Sequence, residues 1–336
     1  MSTKPRILLV GAGAIGQVFG GFLQSAGCEL AFRVKPKHAE EARRGFTLYE
    51  LGVFEKDPEP RELSGFAVLC SDEEVAAERW DQIWLCVSST ALRAGNWVEE
   101  LARATGAATW VMLQPGLEDR EWLLQRIAPE RLLTGMVPFL SFHAPLSPQE
   151  PVPRPGTAFW FPPLSRGLFS GPEERLQEVL RALRAGGYPA RRSPEVARAM
   201  AIPTALLATF VDGLEAAGWS FERLLEPEPL EQALQAAWEA VRIAAWRTQQ
   251  RAPPVRPLLR PWLLELMVPL ASWAAPFSLE SYLRVHFTKV ADQTRWMIRE
   301  YVALGLQAGL PTAALRAAAQ RAEDRHERHP GTPSSL

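Results

Sequence analysis

Three glycines carry the first chemistry that the chain spells out. Gly11-Ala12-Gly13-Ala14-Ile15-Gly16 has the spacing G-x-G-x-x-G, directly after Arg6–Val10, a short apolar run that reads as a buried parallel strand. Ile15, Val18, Phe19 and Phe22 follow at helical spacing. In a strand–turn–helix unit each glycine has its own task. Gly11 permits the tight turn, Gly13 lets the backbone approach a pyrophosphate, and Gly16 lets helix and strand pack closely. The pyrophosphate then rests on the helix N-terminus, where free N–H groups and the helix dipole favour negative charge. The chain is therefore expected to bind a dinucleotide through Gly11, Ala12, Gly13, Ala14, Ile15 and Gly16.

A second cluster identifies which dinucleotide. Glu29–Val34 reads as the next strand, and its end carries Arg33, then Lys35 and Lys37, with no acid until Glu40. A carboxylate at this place binds the ribose 2′-hydroxyl of NAD, whereas a guanidinium suits a 2′-phosphate. The expected cofactor is NADPH, with Arg33 and Lys35 as its ligands. Two further strands, Asp81–Val87 and Thr109–Leu113, end in Ser88-Ser89-Thr90 and in Gln114-Pro115-Gly116. Strand ends of this kind line the crevice of a doubly wound sheet, so Ser88, Gln114 and Pro115 are expected beside the cofactor. Turn chemistry alone is the competing reading of these residues.

These groups need a scaffold, and 336 residues are too many for one ordinary core. Further strands are expected at Gly45–Glu50, Phe66–Ser71, Arg131–Val137 and Gly156–Phe161, and helices at Ala39–Arg44, Val75–Arg79 and Pro172–Ala185. Glu55–Glu62 reads as a charged connection, and Pro145–Pro163 as an irregular linker or a pair of short edge strands. Beyond Pro194 the pattern turns helical: Val196–Gly218, Leu230–Gln249, Trp262–Ser272, Ser278–Ala308 and Thr312–Arg325. The fold class is thus α/β. An N-terminal Rossmann-type doubly wound sheet over 1–189 precedes a mainly α-helical substrate and dimerisation domain over 190–326, and a frayed tail covers 327–336.

Composition excludes several classes. A net charge of −1 offers no basic excess to hold nucleic acid. No uninterrupted apolar run reaches the ~20 residues of a membrane span. The first strand starts too early for a signal peptide. Cys28, Cys70 and Cys86 lack metal-ligand spacing, so no metal is expected, and three buried thiols suit a reducing cytoplasm. Arg260–Phe277 is apolar and aromatic, interrupted by Glu265 and Pro269. It could line a hydrophobic substrate pocket or touch a membrane surface; interior packing or a dimer face is the expectation.

The order GAGAIG, basic strand end, D-x-x-x-x-C-V strand, L-Q-x-G turn and helical C-terminal half resembles the ketopantoate reductase (2-dehydropantoate 2-reductase) family. The resemblance runs over nearly the whole chain. It is strongest at Gly11–Gly16, Asp81–Val87, Leu113–Gly116 and Arg154-Pro155-Gly156, and returns at Ser278–Leu310 with its Gly309-Leu310-Pro311 ending. It implies a Rossmann domain, a helical domain like the C-terminal one of 6-phosphogluconate dehydrogenase, a homodimer, and NADPH-dependent reduction of a 2-keto acid to a 2-hydroxy acid. The chain departs from the family pattern at its chemical centre. Ser88 replaces a Lys, and Pro115 replaces the Asn of L-Q-N-G. The catalytic Lys and the Asn four residues on fall near Met200 and Thr204. Thr288-Lys289-Val290-Ala291 replaces Thr-Glu-Ile-Asp, while Ser278 fits one of the family's serines.

Carbonyl reduction also needs a proton donor and a group to hold the substrate. Lys289 is the single Lys beyond residue 189. Buried, it would suit proton donation, and Asp292, three residues on, could pair with it. A surface ion pair is the competing reading. Thr204, Ser278 and Asp212 are further substrate-site candidates, Ser and Thr at helix starts being commonly caps. His286, one turn before Lys289, and His143, in the linker after a strand end, are weaker ones. The expected function is NADPH-dependent reduction of a small carbonyl substrate by an altered catalytic set. The alternatives are an NADPH-binding sensor or relic without hydride chemistry, and a ketopantoate reductase with its Lys supplied from elsewhere.

Overall fold

The computed structural model describes residues 4–52, 58–146, 154–253 and 260–328. Two compact units divide it, Met1–Ala197 and Arg198–Leu336. The first holds twelve strands among the described residues: β1 Arg6–Val10, β2 Glu29–Arg33, β3 Phe46–Glu50, β4 Pro60–Leu63, β5 Ala67–Leu69, β6 Gln82–Leu85, β7 Thr109–Met112, β8 Leu132–Gly135, β9 Leu140–Ala144, β10 Gly156–Trp160, β11 Gly167–Ser170 and β12 Ala190–Arg192. Its helices are α1 Ala14–Ser25, α2 Ala39–Arg43, α3 Asp72–Ala76, α4 Ser89–Leu92, α5 Trp97–Ala104, α6 Asp119–Leu124 and α7 Glu173–Ala185.

Eight strands form one sheet in the order β12-β11-β8-β7-β6-β1-β2-β5. From β5 to β8 every pairing is parallel, and β11 meets β8 antiparallel. The chain winds outward from β1 through β2 to β5, then returns to β6 on the other side of β1. The reversal makes the carboxyl ends of β1 and β6 a topological switch point. Strands β1, β6 and β7 are buried on nearly every residue, as a parallel sheet covered on both faces requires.

A second sheet, β4-β3-β10-β9, packs on the far side of α1. Glu55–Glu62 thus contributes β4, and Gly156–Phe161 is a buried inner strand, not an edge: β10 pairs β3 on one side and β9 on the other. Residues 53–57 and 147–153 lie outside the described residues. Aromatic packing joins the layers, with Tyr188 against Phe19 at 5.1 Å and against Phe22 at 5.2 Å between ring centroids. Gln17 Nε2 donates to Ala12 O (2.8 Å), and its Oε1 accepts from Thr157 of β10 (2.7 Å), so the start of α1 is tied to the second sheet. The helix expected at Val75–Arg79 instead begins at Asp72, because Ser71 and Glu74 form a capping box. The helical unit begins beyond Ala197 and not at 190, since Ala190–Arg192 is an edge strand of the large sheet.

The second unit is helical among the described residues: α8 Val196–Ala216 (its first two residues in the first unit), α9 Phe221–Leu224, α10 Pro227–Arg247, α11 Pro261–Ala274, α12 Leu279–Lys289, α13 Ala291–Gln307 and α14 Ala313–Arg328. Helices α10, α13 and α14 pack together around buried Ile243, Tyr301, Leu315 and Ala318. The buried Glu239 carboxylate accepts from Ala314 N (3.2 Å) and Leu315 N (2.9 Å), which satisfies free N–H groups at the start of α14. Helix α8 is long and apolar enough to cross a membrane, but it carries Asp212, buried and ion-paired with Arg325, as a core helix of this unit does.

Two helical expectations are corrected. Ser278–Ala308 is not one helix: Val290, at φ −113° and ψ 26°, separates α12 from α13. For helix α11, expected as interior packing or a dimer face, the first of the two departs from the structure: none of its residues is buried, and Trp262, Leu266, Leu270 and Trp273 are exposed at spacings of one helical face. The tail beyond Arg328 lies outside the described residues.

Candidate functional site

The switch point brings the glycine turn and two other strand ends to one edge of the sheet. Gly11, at φ +102°, leaves β1 with its N–H donating to Arg33 O (3.0 Å). A Cβ there would come within 2.9 Å of Cys86 O, just past β6. A Cβ at Gly16 would stand 2.2 Å from Gly11 O. Both positions exclude a side chain for reasons internal to the protein. Gly13 differs, for a Cβ there meets nothing within 4 Å. It is also the N-cap of α1, has no side-chain cap, and no acid stands in the first turn. An uncapped helix start beside open space, at a switch point, fits a bound anion.

The basic strand end is more elaborate than its sequence. Arg33 Nη2 pairs with Asp72 Oδ1 at 2.6 Å, and the guanidinium lies over the Trp97 ring, 5.6 Å from its centroid. Asp72 opens α3, just beyond β5, the parallel neighbour of β2. The buried Arg33 Nε has no hydrogen-bond partner among the described residues. Lys35 is exposed.

The other two strand ends are locked turns. Ser88 caps α4, accepting from Ala91 N (3.1 Å) and lying 3.0 Å from Thr90 Oγ1. The Gln114 side chain is buried; it donates to Leu85 O (2.9 Å) and Val87 O (2.8 Å) and accepts from Leu113 N (3.2 Å). It therefore clamps β7 to the end of β6. Pro115 is exposed, with neither an N–H nor a polar side chain to offer. A group the sequence did not single out completes the clamp. Asp119, fully buried, accepts from Gly116 N (2.6 Å) and Ser89 Oγ (2.7 Å) and pairs with Arg93. One carboxylate thus holds the Ser88–Thr90 and Gln114–Gly116 turns together. Three residues after Gly116 in sequence, it carried no pattern that would have marked it.

In the helical unit the candidates lie apart in function. Lys289 ends α12 and is exposed, as the surface reading of it requires and the buried proton donor does not. Val290 leaves the helical conformation, so Asp292 does not stand one continuous turn beyond it. Ser278 caps α12, accepting from Ser281 N (3.3 Å), and Thr204 is half-buried on α8. His286 stacks on Tyr282 at 5.3 Å. Arg325 Nη2 lies 3.2 Å from Asp212 Oδ1 and 3.6 Å from Glu215. Burial nevertheless pushes the Asp212 carboxyl up to about 6, more than the arginine lowers it. An apolar cavity of about 290 Å³ in this unit is lined by Leu206, Phe210, Leu224, Leu230 and, from α11, Leu264.

In the first unit, His143 is not in a linker but on β9, paired with Thr157 of β10. Cys28 is buried and its thiol is pushed up by that burial, while Cys70 and Cys86 are half-buried; all three are free.

Residues 7–146 match the family described as Ketopantoate reductase PanE/ApbA. The likeness to the ketopantoate reductase family thus lies in the N-terminal unit. Solved structures extend the likeness in fold to both units of the chain. A 2-dehydropantoate 2-reductase from Geobacter metallireducens GS-15 is 18% identical, with 95% of this chain and 99% of that one covered and a TM-score of 0.67. A PanE/ApbA family ketopantoate reductase from Ralstonia eutropha JMP134 is 17% identical over 96% and 99%, with a TM-score of 0.67. D-mandelate dehydrogenase, in a ternary structure with NADH and anilino(oxo)acetate, is 12% identical over 96% and 98%, with a TM-score of 0.69. No curated protein matches by sequence. At these identities the solved structures show the fold of the chain, and the family match adds a sequence likeness over residues 7–146.

Proposed function

We propose that the chain is an NADPH-dependent reductase of a small carbonyl compound, a 2-keto acid or a related ketone, working with an altered catalytic set. The observation that carries this reading is the uncapped start of α1, where Gly13 leaves open space that no packing in the protein accounts for. The backbone of Gly11–Gly16 would hold the pyrophosphate. Arg33 and Lys35 would face the 2′-phosphate, the guanidinium as the directional donor. Ser88, Gln114 and Pro115 would border the nicotinamide end, with Gln114 acting through the turn it clamps and not through a free side chain. When bound, the nicotinamide supplies a hydride to a carbonyl carbon. On the substrate side, Lys289 is the proposed carboxylate anchor or proton donor, and its exposure suits the anchor. Thr204 and Ser278 are the secondary polar groups. The apolar cavity beside Leu206 and Phe210 suits the body of a hydrophobic substrate.

A second reading is an NADPH-binding sensor of the same fold. Pro115, which offers the nicotinamide end no hydrogen-bonding side chain, favours it. Oxidation of NADPH by the purified protein, followed against a panel of 2-keto acids, ketones and imines, separates the two. Rapid turnover of any member is expected. Tight NADPH binding with no turnover across the panel establishes the sensor.

A further inference from the structure

The sequence criterion for NADPH is the lack of an acid at the end of the second strand, since Arg33 stands twenty residues beyond Gly13, where an NAD site has its carboxylate. The fold restores what the strand lacks. Asp72 arrives from the end of β5, next to β2 in the sheet, and its carboxylate sits 2.6 Å from the Arg33 guanidinium. The same guanidinium lies over the Trp97 ring. The guanidinium that would meet a 2′-phosphate therefore already has a carboxylate against it.

We propose that Asp72 is a specificity-determining residue that narrows the site's preference for NADPH over NADH, so that the protein binds both nucleotides. The inference rests on the reading of Arg33 as the 2′-phosphate ligand. A 2′-phosphate must take Arg33 from Asp72 and bear the repulsion of the displaced carboxylate. A ribose 2′-hydroxyl bears neither cost and can donate to the carboxylate. The side chains are partly exposed, 19% for Arg33 and 28% for Asp72, while Arg33 Nε and Asp72 Oδ1 are themselves buried, so a nucleotide would have to part the pair to reach them.

The test is an equilibrium titration of NADPH and of NADH, by nicotinamide fluorescence, against the wild-type chain, Asp72→Asn and Asp72→Lys. Asp72 lies in the first turn of a short surface helix whose cap is Ser71, so both variants are expected to fold; circular dichroism checks this. Asp72→Asn should raise the NADPH-to-NADH affinity ratio by about tenfold, as loss of one charged contact implies, and Asp72→Lys should raise it further. Binding of both nucleotides with ratios unchanged in both variants would overturn the role of Asp72 and leave the NADPH reading intact. Binding of neither nucleotide by any form would overturn the NADPH reading itself, and the inference with it.

Discussion

The glycine turn after β1 and the break after α12 are both places where the sequence promised chemistry, and they differ in what holds the promise. At the turn the chemistry is done by backbone. Gly11 and Gly16 are fixed by contacts of 2.9 and 2.2 Å that any Cβ would make, and the N–H groups at the start of α1 need no side chain to aim them. At the break the chemistry would be done by side chains. Lys289, Ser278 and His286 stand on one helix, yet Ser278 is spent on a cap and His286 on a ring contact. A backbone site is specified by neighbours in sequence. A side-chain site is specified by helix packing, which residue spacing does not fix.

The contrast can be sharpened by cutting what supports each region. The largest effect is expected at Asp119. Asp119→Ala leaves Arg93 and Gly116 N without their buried partner and frees the two turns beside the switch point, so it should cost about 3–5 kcal/mol of stability in denaturant unfolding. A cost below about 1 kcal/mol would mean that the turns hold without the clamp.

Asp212 is the corresponding buried carboxylate of the helical unit, and its contribution has the opposite sign. Its folded-state pKa of about 6 lies above its ordinary 3.8, so the folded protein holds that proton more tightly than the unfolded chain does. The stabilisation is full below about pH 4 and is lost as pH rises through about 6, a change of about 2–3 kcal/mol. Asp212→Asn should therefore flatten the stability profile between pH 4 and 6 relative to wild type. An identical pH slope in the two proteins would place the ionised carboxylate at no disadvantage in the fold.

The smallest stability effect is expected at Lys289, whose exposed side chain can become Met at a cost within about 0.5 kcal/mol. NADPH affinity should be unchanged. If Lys289 anchors a substrate carboxylate, KM rises while kcat holds; a fall in kcat of about 10²-fold marks a proton donor instead. No change in either parameter removes Lys289 from the site.

Much of the first unit was legible because its signals are local. An apolar run, a glycine spacing and a strand ending in Ser88 each state their place within a few residues. The second sheet was only half legible: β3 and β10 were visible as strands, but β9 lay between the strand expected at Arg131–Val137 and the proline-rich stretch Pro145–Pro163, with no element assigned to it. The capping box Ser71–Glu74 was present in the sequence and would have placed α3 correctly. Asp72 and Asp119 were not legible, since each acts on a residue 39 or 26–30 positions away, through the sheet order or a buried turn. The helix break was hidden because Val290 disrupts no hydrophobic period; only its backbone conformation marks it.

The central claim is that the open space over Gly13 belongs to a dinucleotide. A titration of NADPH against Gly13→Asp tests it most directly, because a Cβ there touches nothing in the protein and the thermal midpoint should stay within a few degrees of wild type. The introduced carboxylate would meet the pyrophosphate at the start of α1, and affinity is predicted to fall by about 100-fold or more. Wild-type affinity in a folded Gly13→Asp protein would contradict the account and leave the glycine motif a turn.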